Sequence, residues 1–193
     1  MTWGSAILVP MNLLRSVALG LATLLVPSLA AGSLVQALDL AQLTAQAERI
    51  VVAQVVSTKS DWDPSRRTIR TRIEIKVEEA WKGAVAPGET IVIVQPGGSV
   101  GDIEMRVHGM PSFALGEKTV LFLAGHAAPR VVGMSQGKRS VRWDSTAKHW
   151  VAEGAEHSAV VRRDSQGRVQ PVLAEPATGL DEFRQRVRAL VKP

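Results

Sequence analysis

Ser99 lies in Gly97-Gly98-Ser99-Val100-Gly101, the G-x-S-x-G spacing of a serine nucleophile elbow. Such an elbow needs a strand before the serine and a helix after it, so that Oγ is exposed beside backbone amides that can hold an oxyanion. A strand-like run precedes Ser99. The residues after it, Asp102-Ile103-Glu104-Met105-Arg106-Val107, alternate as a strand does, and no series of βαβ units is present to build a hydrolase sheet. The five residues therefore read as a turn, and no catalytic residue is assigned. The enzymatic alternative is a serine hydrolase pairing Ser99 with a distant histidine such as His126 or His149.

The other reactive side chains are scattered. His108, His126, His149 and His157 include no pair at helical i, i+4 spacing and have no cysteine companions, so no metal site is predicted. Asp61 and Asp63 flank Trp62, and Asp102 precedes Glu104, but the glycine and the twelfth-position glutamate of a calcium loop are missing; these read as turn carboxylates. Arg66, Arg67, Arg70 and Arg72, with Lys138, Arg139 and Arg142, could line one face and bind a polyanion. Single-strand binding also needs aromatic platforms, and the chain is 4% aromatic with no tyrosine, leaving Trp62 and Trp143 as stacking candidates. No cofactor is predicted.

The first thirty-three residues read as a targeting segment. Arg15 is their only charge; the run Val17 to Val26 is apolar, and Pro27 is followed by the small-residue track Ser28-Leu29-Ala30-Ala31-Gly32. A positive start, an apolar stretch and a small-x-small ending make a secretory signal, with cleavage expected near Ala30 and translation starting at Met1 or Met11. Left uncleaved, residues 6–35 are long enough to span a bilayer, which would be the only route to a membrane. The chain has no cysteine, so an exported domain must be held by its apolar core without disulfides. The net charge of +5, which becomes +4 once Arg15 is removed, is modest and identifies no partner.

Residues 34–193 are expected to form one β-rich domain. Asp39 can cap a helix reaching Arg49, and Ile50 to Val56 comes next as a strand ending in polar residues, with Asp61-Trp62-Asp63-Pro64-Ser65 as a loop. Ile69, Thr71, Ile73, Ile75 and Val77 alternate with Arg70, Arg72, Glu74, Lys76 and Glu78, the period of two of an antiparallel strand with one wet face. The phrase Gly88-Glu89 opens Thr90 to Gln95, and Gly116-Glu117 opens Thr119 to Ala124; the two phrases are too short and isolated to define a repeat architecture. Shorter strands are expected at Ile103 to Val107, Val131 to Met134, Ser140 to Trp143 and Trp150 to Ala152, with a further hairpin pairing Val160 to Arg163 with Arg168 to Leu173. Thr178 and Asp181 have capping-box spacing before an apolar stripe of Leu180, Phe183, Val187, Leu190 and Val191, which predicts a C-terminal docking helix with a solvated basic face.

Ala47-Glu48-Arg49-Ile50-Val51-Val52, Val77-Glu78-Glu79-Ala80-Trp81-Lys82-Gly83, Pro87-Gly88-Glu89, Gln95-Pro96-Gly97-Gly98, and Phe113 with Gly116-Glu117 and Val120-Leu121-Phe122-Leu123 resemble a group of exported bacterial domains of unknown function. The order of elements is also similar to the netrin-like barrel of the tissue inhibitors of metalloproteinases. That resemblance implies a small antiparallel OB-like barrel over about residues 47–145. Those inhibitors reach a protease zinc through an N-terminal cysteine, which this chain lacks. The expectation is an exported, non-catalytic binding domain, periplasmic or extracellular, that meets a protein or envelope component through loops Ser60 to Arg67 and Gln95 to Asp102. Its named contacts are Asp61, Trp62, Arg66, Arg67, Gly97, Gly98 and Ser99. A polyanion-binding module is the further alternative.

Overall fold

The computed structural model describes residues 35–154, 160–163, 166, 168–171 and 176–191. The expected signal segment and cleavage point lie outside the described residues. The elements run β1 (Val35–Gln36), α1 (Leu40–Gln46), β2 (Arg49–Trp62), β3 (Ile69–Lys82), β4 (Thr90–Pro96), β5 (Gly98–Val100), β6 (Ile103–Met105), β7 (Lys118–Ala124) and β8 (Arg130–Val131). A 3₁₀ turn at Met134–Gly137 then leads to β9 (Lys138–Asp144), β10 (His149–Gly154), β11 (Val160–Arg163), β12 (Val169–Pro171), β13 (Thr178–Gly179) and α2 (Leu180–Leu190). The protein is mostly β, with a short leading helix and a C-terminal helix, as its sequence predicts.

The spine is the β2–β3 ribbon, two antiparallel strands of 14 residues each. The polar residues Ser57 to Ser60 do not end β2, because β3 pairs with it as far as Trp62↔Ile69. Asp63 closes the ribbon: its carboxylate accepts from Ser65 Oγ (2.7 Å), Arg67 N–H (2.9 Å) and Thr68 N–H (3.2 Å). The main sheet has the order β13-β10-β9-β7-β2-β3-β4, with β8 beside the end of β7.

β7 and the first residues of β2 bury both faces, which explains their continuous apolar runs. Ile50, Val52, Val120 and Phe122 face one layer with Val141, Ala152, Trp81 and the helical residues Leu43, Phe183 and Val187. Val51, Ala53, Val55, Leu121 and Leu123 face the other, with Ile73, Ile75 and Val77 of β3 and Ile91 and Ile93 of β4. Phe183 anchors α2, meeting Trp81 and Phe122 edge-on at 6.0 and 6.3 Å.

The two Gly-Glu phrases build the same structure twice. In Ala86-Pro87-Gly88-Glu89, Glu89 N–H donates to Ala86 O (3.1 Å) and Glu89 Oε2 accepts from Ala86 N–H (3.2 Å). In Ala114-Leu115-Gly116-Glu117 the matching distances are 3.0 and 3.1 Å. Gly88 (φ 87°) and Gly116 (φ 80°) take the positive φ that a type II turn demands at its third residue. The first turn then pairs with Val77 and the second with Val55, each by the same two backbone bonds. From there β4 runs along β3 in the register that β7 takes along β2: Lys76↔Thr90 matches Gln54↔Lys118, and Thr71↔Gln95 matches Arg49↔Leu123. A local pseudo-twofold axis therefore passes between the paired residues Gln54 and Lys76.

Three further expectations change. The antiparallel sheet does not close into a barrel, because the outermost strands β4 and β13 do not pair and the sheet runs on through β9 and β10. Beside β4 lies the segment carrying Pro111, which has no N–H to donate to a ladder; the link there is a side-chain bond, Gln95 Nε2–H to Pro111 O (2.8 Å). The Thr178–Asp181 capping box does not form, because Thr178 is paired in β13 with Ala152 and Gly179 takes the N-cap position. The basic face of α2 is partly engaged: Arg184 and Arg188 both bind Glu79 of β3, at 3.0 and 3.1 Å. Asp39 does cap α1, in a reciprocal box with Gln42. Among the described residues no helix is long and apolar enough to cross a membrane.

Candidate functional site

A groove of about 770 Å³ opens where the upper β2–β3 ribbon meets the β5–β6 hairpin and the segment from Met110 to Phe113. Thr58, Ser60, Thr71 and Ile73 form its ribbon side, Gln95 to Ser99 and Glu104 to His108 supply a second side, and Met110 to Phe113 a third. Ile73 belongs to the apolar layer away from the helices, so the groove lies on the face of the sheet opposite α1 and α2.

Two glycines and two hydroxyls set the hairpin over the ribbon. Thr71 Oγ1–H donates to Gly97 O (2.6 Å), and Ser60 Oγ lies 2.9 Å from Thr71 Oγ1, so Ser60 is the donor of that pair. Gly98 (φ 132°) packs so closely that a Cβ there would fall 2.3 Å from both Ser60 Oγ and Thr71 Oγ1. Gly97 and Gly98 are thus needed for the chain path itself.

One groove wall is fixed by a buried ion pair. Lys138, only 5% exposed, donates to Glu117 Oε1 and to Ser112 O, both at 2.6 Å, and its ammonium lies 5.0 Å from the Phe113 ring centre. Glu117 also accepts from Ser140 Oγ (2.7 Å) and Ala114 N–H. Burial would raise its carboxyl, but these hydrogen bonds and the Lys138 charge outweigh burial and hold it below its ordinary value. Glu89, the symmetry-related residue, is exposed, and among the described residues its side chain makes only the turn contact.

The predicted contact residues divide into two groups. Gly97, Gly98 and Ser99 line the groove, whereas Asp61, Trp62, Arg66 and Arg67 do not. Asp61 accepts from Trp62 N–H (2.7 Å), and Arg66 sits at φ 53° in the turn that Asp63 organises. Hydrogen bonds from Ser65 Oγ and then from Thr68 and Arg67 N–H lower the Asp63 carboxyl from 3.8 to about 2. Ser99 is exposed opposite Glu104, and the chain passes from it into a turn and β6, not into the helix of a nucleophile elbow.

His108 lines the groove, while His126 pairs with Glu48 (3.2 Å) and His149 Nδ1 lies 3.0 Å from Ala147 O. His157 lies outside the described residues. Among the described residues no cluster of three or more His, Asp or Glu could hold a metal ion. The basic candidates are not all exposed together: Lys138 and Arg139 are buried, while Arg66, Arg67 and Arg70 are exposed, Arg72 pairs with Glu74 and Arg142 with Glu153. The Glu117–Lys138 pair is absent from the sequence-based site; its one signal was that a turn glutamate preceded a wholly apolar strand. No protein-family model, curated protein or solved structure matches this chain.

Proposed function

We propose that this chain is an exported, non-catalytic binding module that receives a segment of an envelope protein in the groove beneath the β5–β6 hairpin. The observation that supports this reading is the lining itself. Hydroxyls and an amide from Ser60, Thr71 and Gln95 stand beside apolar Met110 and Phe113, in walls braced by the glycine contacts and the Glu117–Lys138 pair. A concave surface of apolar area with a few fixed polar groups suits binding, and rigid walls reduce the entropy lost on association. Export rests on the positive, apolar and small-residue order of the first thirty-three residues.

The test replaces Ser112, at the groove wall, with a photoreactive amino acid in the full chain expressed in a bacterial host, with Ser145 on the β9–β10 turn as the control position. A discrete protein adduct is expected from position 112 and none from 145, and Ser99→Trp, which fills the groove mouth, should abolish it. Equal labelling from both positions, or an adduct indifferent to Ser99→Trp, overturns the proposal. An intact mass retaining Met1 or Met11 overturns cleavage of the signal.

A further inference from the structure

A second surface lies on the opposite face of the sheet, on the β9–β10 hairpin. Register sets Trp143 directly across from Trp150. Each alternates with a residue of the helix-covered layer, Val141 on β9 and Ala152 on β10, so both indoles share that face. The helices do not cover them: Trp143 is 49% and Trp150 42% exposed. The rings meet edge to face, with centroids 5.6 Å apart at 73°. Lys118 holds its ammonium 5.0 Å from the Trp150 ring centre and is itself fixed by Glu78 at 2.7 Å.

A cross-strand aromatic pair stiffens a hairpin whatever else it does. That role does not require both indoles to stand half open to solvent. The surrounding charges select the ligand. Lys118 is cancelled by Glu78 and Arg142 by Glu153, and the hairpin turn adds one charge of each sign, Asp144 and Lys148. A polyanion needs a cluster of unpaired cations, and here Lys118 and Arg142 are each matched by a glutamate. A sugar ring offers what this surface matches: an apolar C–H face for the indoles and hydroxyls for an ammonium, a carboxylate and two indole donors.

We infer that Trp143 and Trp150, set nearly at right angles, form an aromatic corner that receives the C–H face of a neutral hexopyranose chain, with Lys118 and Glu78 as its hydroxyl partners. This site is independent of the groove. Ser99→Trp should leave it intact, so failure of one reading is distinguishable from failure of the other.

The experiment titrates the full chain with chitohexaose and cellohexaose, following tryptophan emission, with heparin as the polyanion arm. At least one saccharide should give a saturable blue shift that persists at high salt. Trp143→Ala should weaken it about tenfold or more, the equivalent of ~1.4 kcal/mol. Should that variant lose the hairpin, Lys118→Met, which leaves both indoles in place, should still weaken binding severalfold. No saturable change up to about 10 mM of either saccharide, binding unchanged in both variants, or binding to heparin alone with a steep salt dependence each overturns the proposal.

Discussion

Glu117→Gln tests whether the second Gly-Glu turn has become a structural anchor while the first has stayed a turn. The carboxylate receives Lys138 Nζ and Ser140 Oγ on one oxygen and Ala114 N–H on the other. An amide cannot satisfy all three. With its oxygen toward Lys138 its NH₂ confronts the Ala114 N–H, and flipped, it confronts the ammonium. Lys138 is left 5% exposed with Ser112 O and the Phe113 ring as its remaining company.

Removing one member of a buried pair costs about 3 kcal/mol, at the lower end of the range because the amide keeps one acceptor. For a domain of this size that is a fall of roughly 6–12 °C in Tm. Glu89→Gln, the symmetry-related change on an exposed residue, should stay within about 0.5 kcal/mol. The pH dependence has a fixed sign. Because the Glu117 carboxyl is held below 4.5 in the fold, its contribution is complete above that value and is lost as pH falls through the folded-state value. The gap between wild type and Glu117→Gln in urea melts should therefore narrow in acid. Equal losses for the Glu89 and Glu117 variants, or a gap that does not change with pH, would refute the reasoning.

Three further outcomes are expected. Gly98→Ala should destabilise by about 2–4 kcal/mol, because its Cβ meets two hydroxyls and the residue sits at positive φ; Gly101→Ala, at φ 58° with open space, should cost only about 1 kcal/mol, and denaturant midpoints that fail to separate the two sink the idea. Phe183→Ala removes the ring between Trp81 and Phe122 and should cost about 3–5 kcal/mol by the same measurement, with a loss below 1 kcal/mol showing that α2 is not anchored there. The Asp63 carboxyl should titrate by NMR with a midpoint about 2, and order in the turn should be kept below 3.8 and lost only as pH falls through about 2; an ordinary midpoint would show that the three donors are not held in solution.

The ribbon and its partners were legible because their signals are local. Ile69, Ile73, Ile75 and Val77 are buried on one face of β3 as their alternation requires, and both Gly-Glu phrases open strands. Barrel closure was not legible in the same way. It depends on whether the edge of β4 meets a backbone that can donate, and in the fold it meets the segment containing Pro111, distant in sequence from the strand that would need it. The site divides along the same line. Gly97, Gly98 and Ser99 announce a turn and do line the groove, but Ser60 and Thr71 looked like ordinary polar strand residues until pairing placed them under Gly98. Lys138 and Arg139 read as solvated because charged residues are seldom buried, and only the return of β9 beside β7 encloses them.

The pseudo-twofold at Gln54 and Lys76 sets the order in which the sheet is assembled. Its two arms are equivalent in space but not along the chain. From the formed ribbon, seven residues (83–89) lead to β4, while thirty-five (83–117) lead to β7. For unstructured connections, closing the longer one costs about 1.4 kcal/mol more. Once the ribbon forms, β4 is therefore expected to dock before β7, although both use the same turn and the same two backbone bonds. Val77→Ala and Val55→Ala are matched probes, each buried and each facing its own turn. The first should slow folding and the second mainly speed unfolding; the reverse pattern in a chevron analysis would overturn this order. A sheet symmetric in its hydrogen bonds is thus built from one side, and its late arm is the one that carries Glu117 and closes the groove wall.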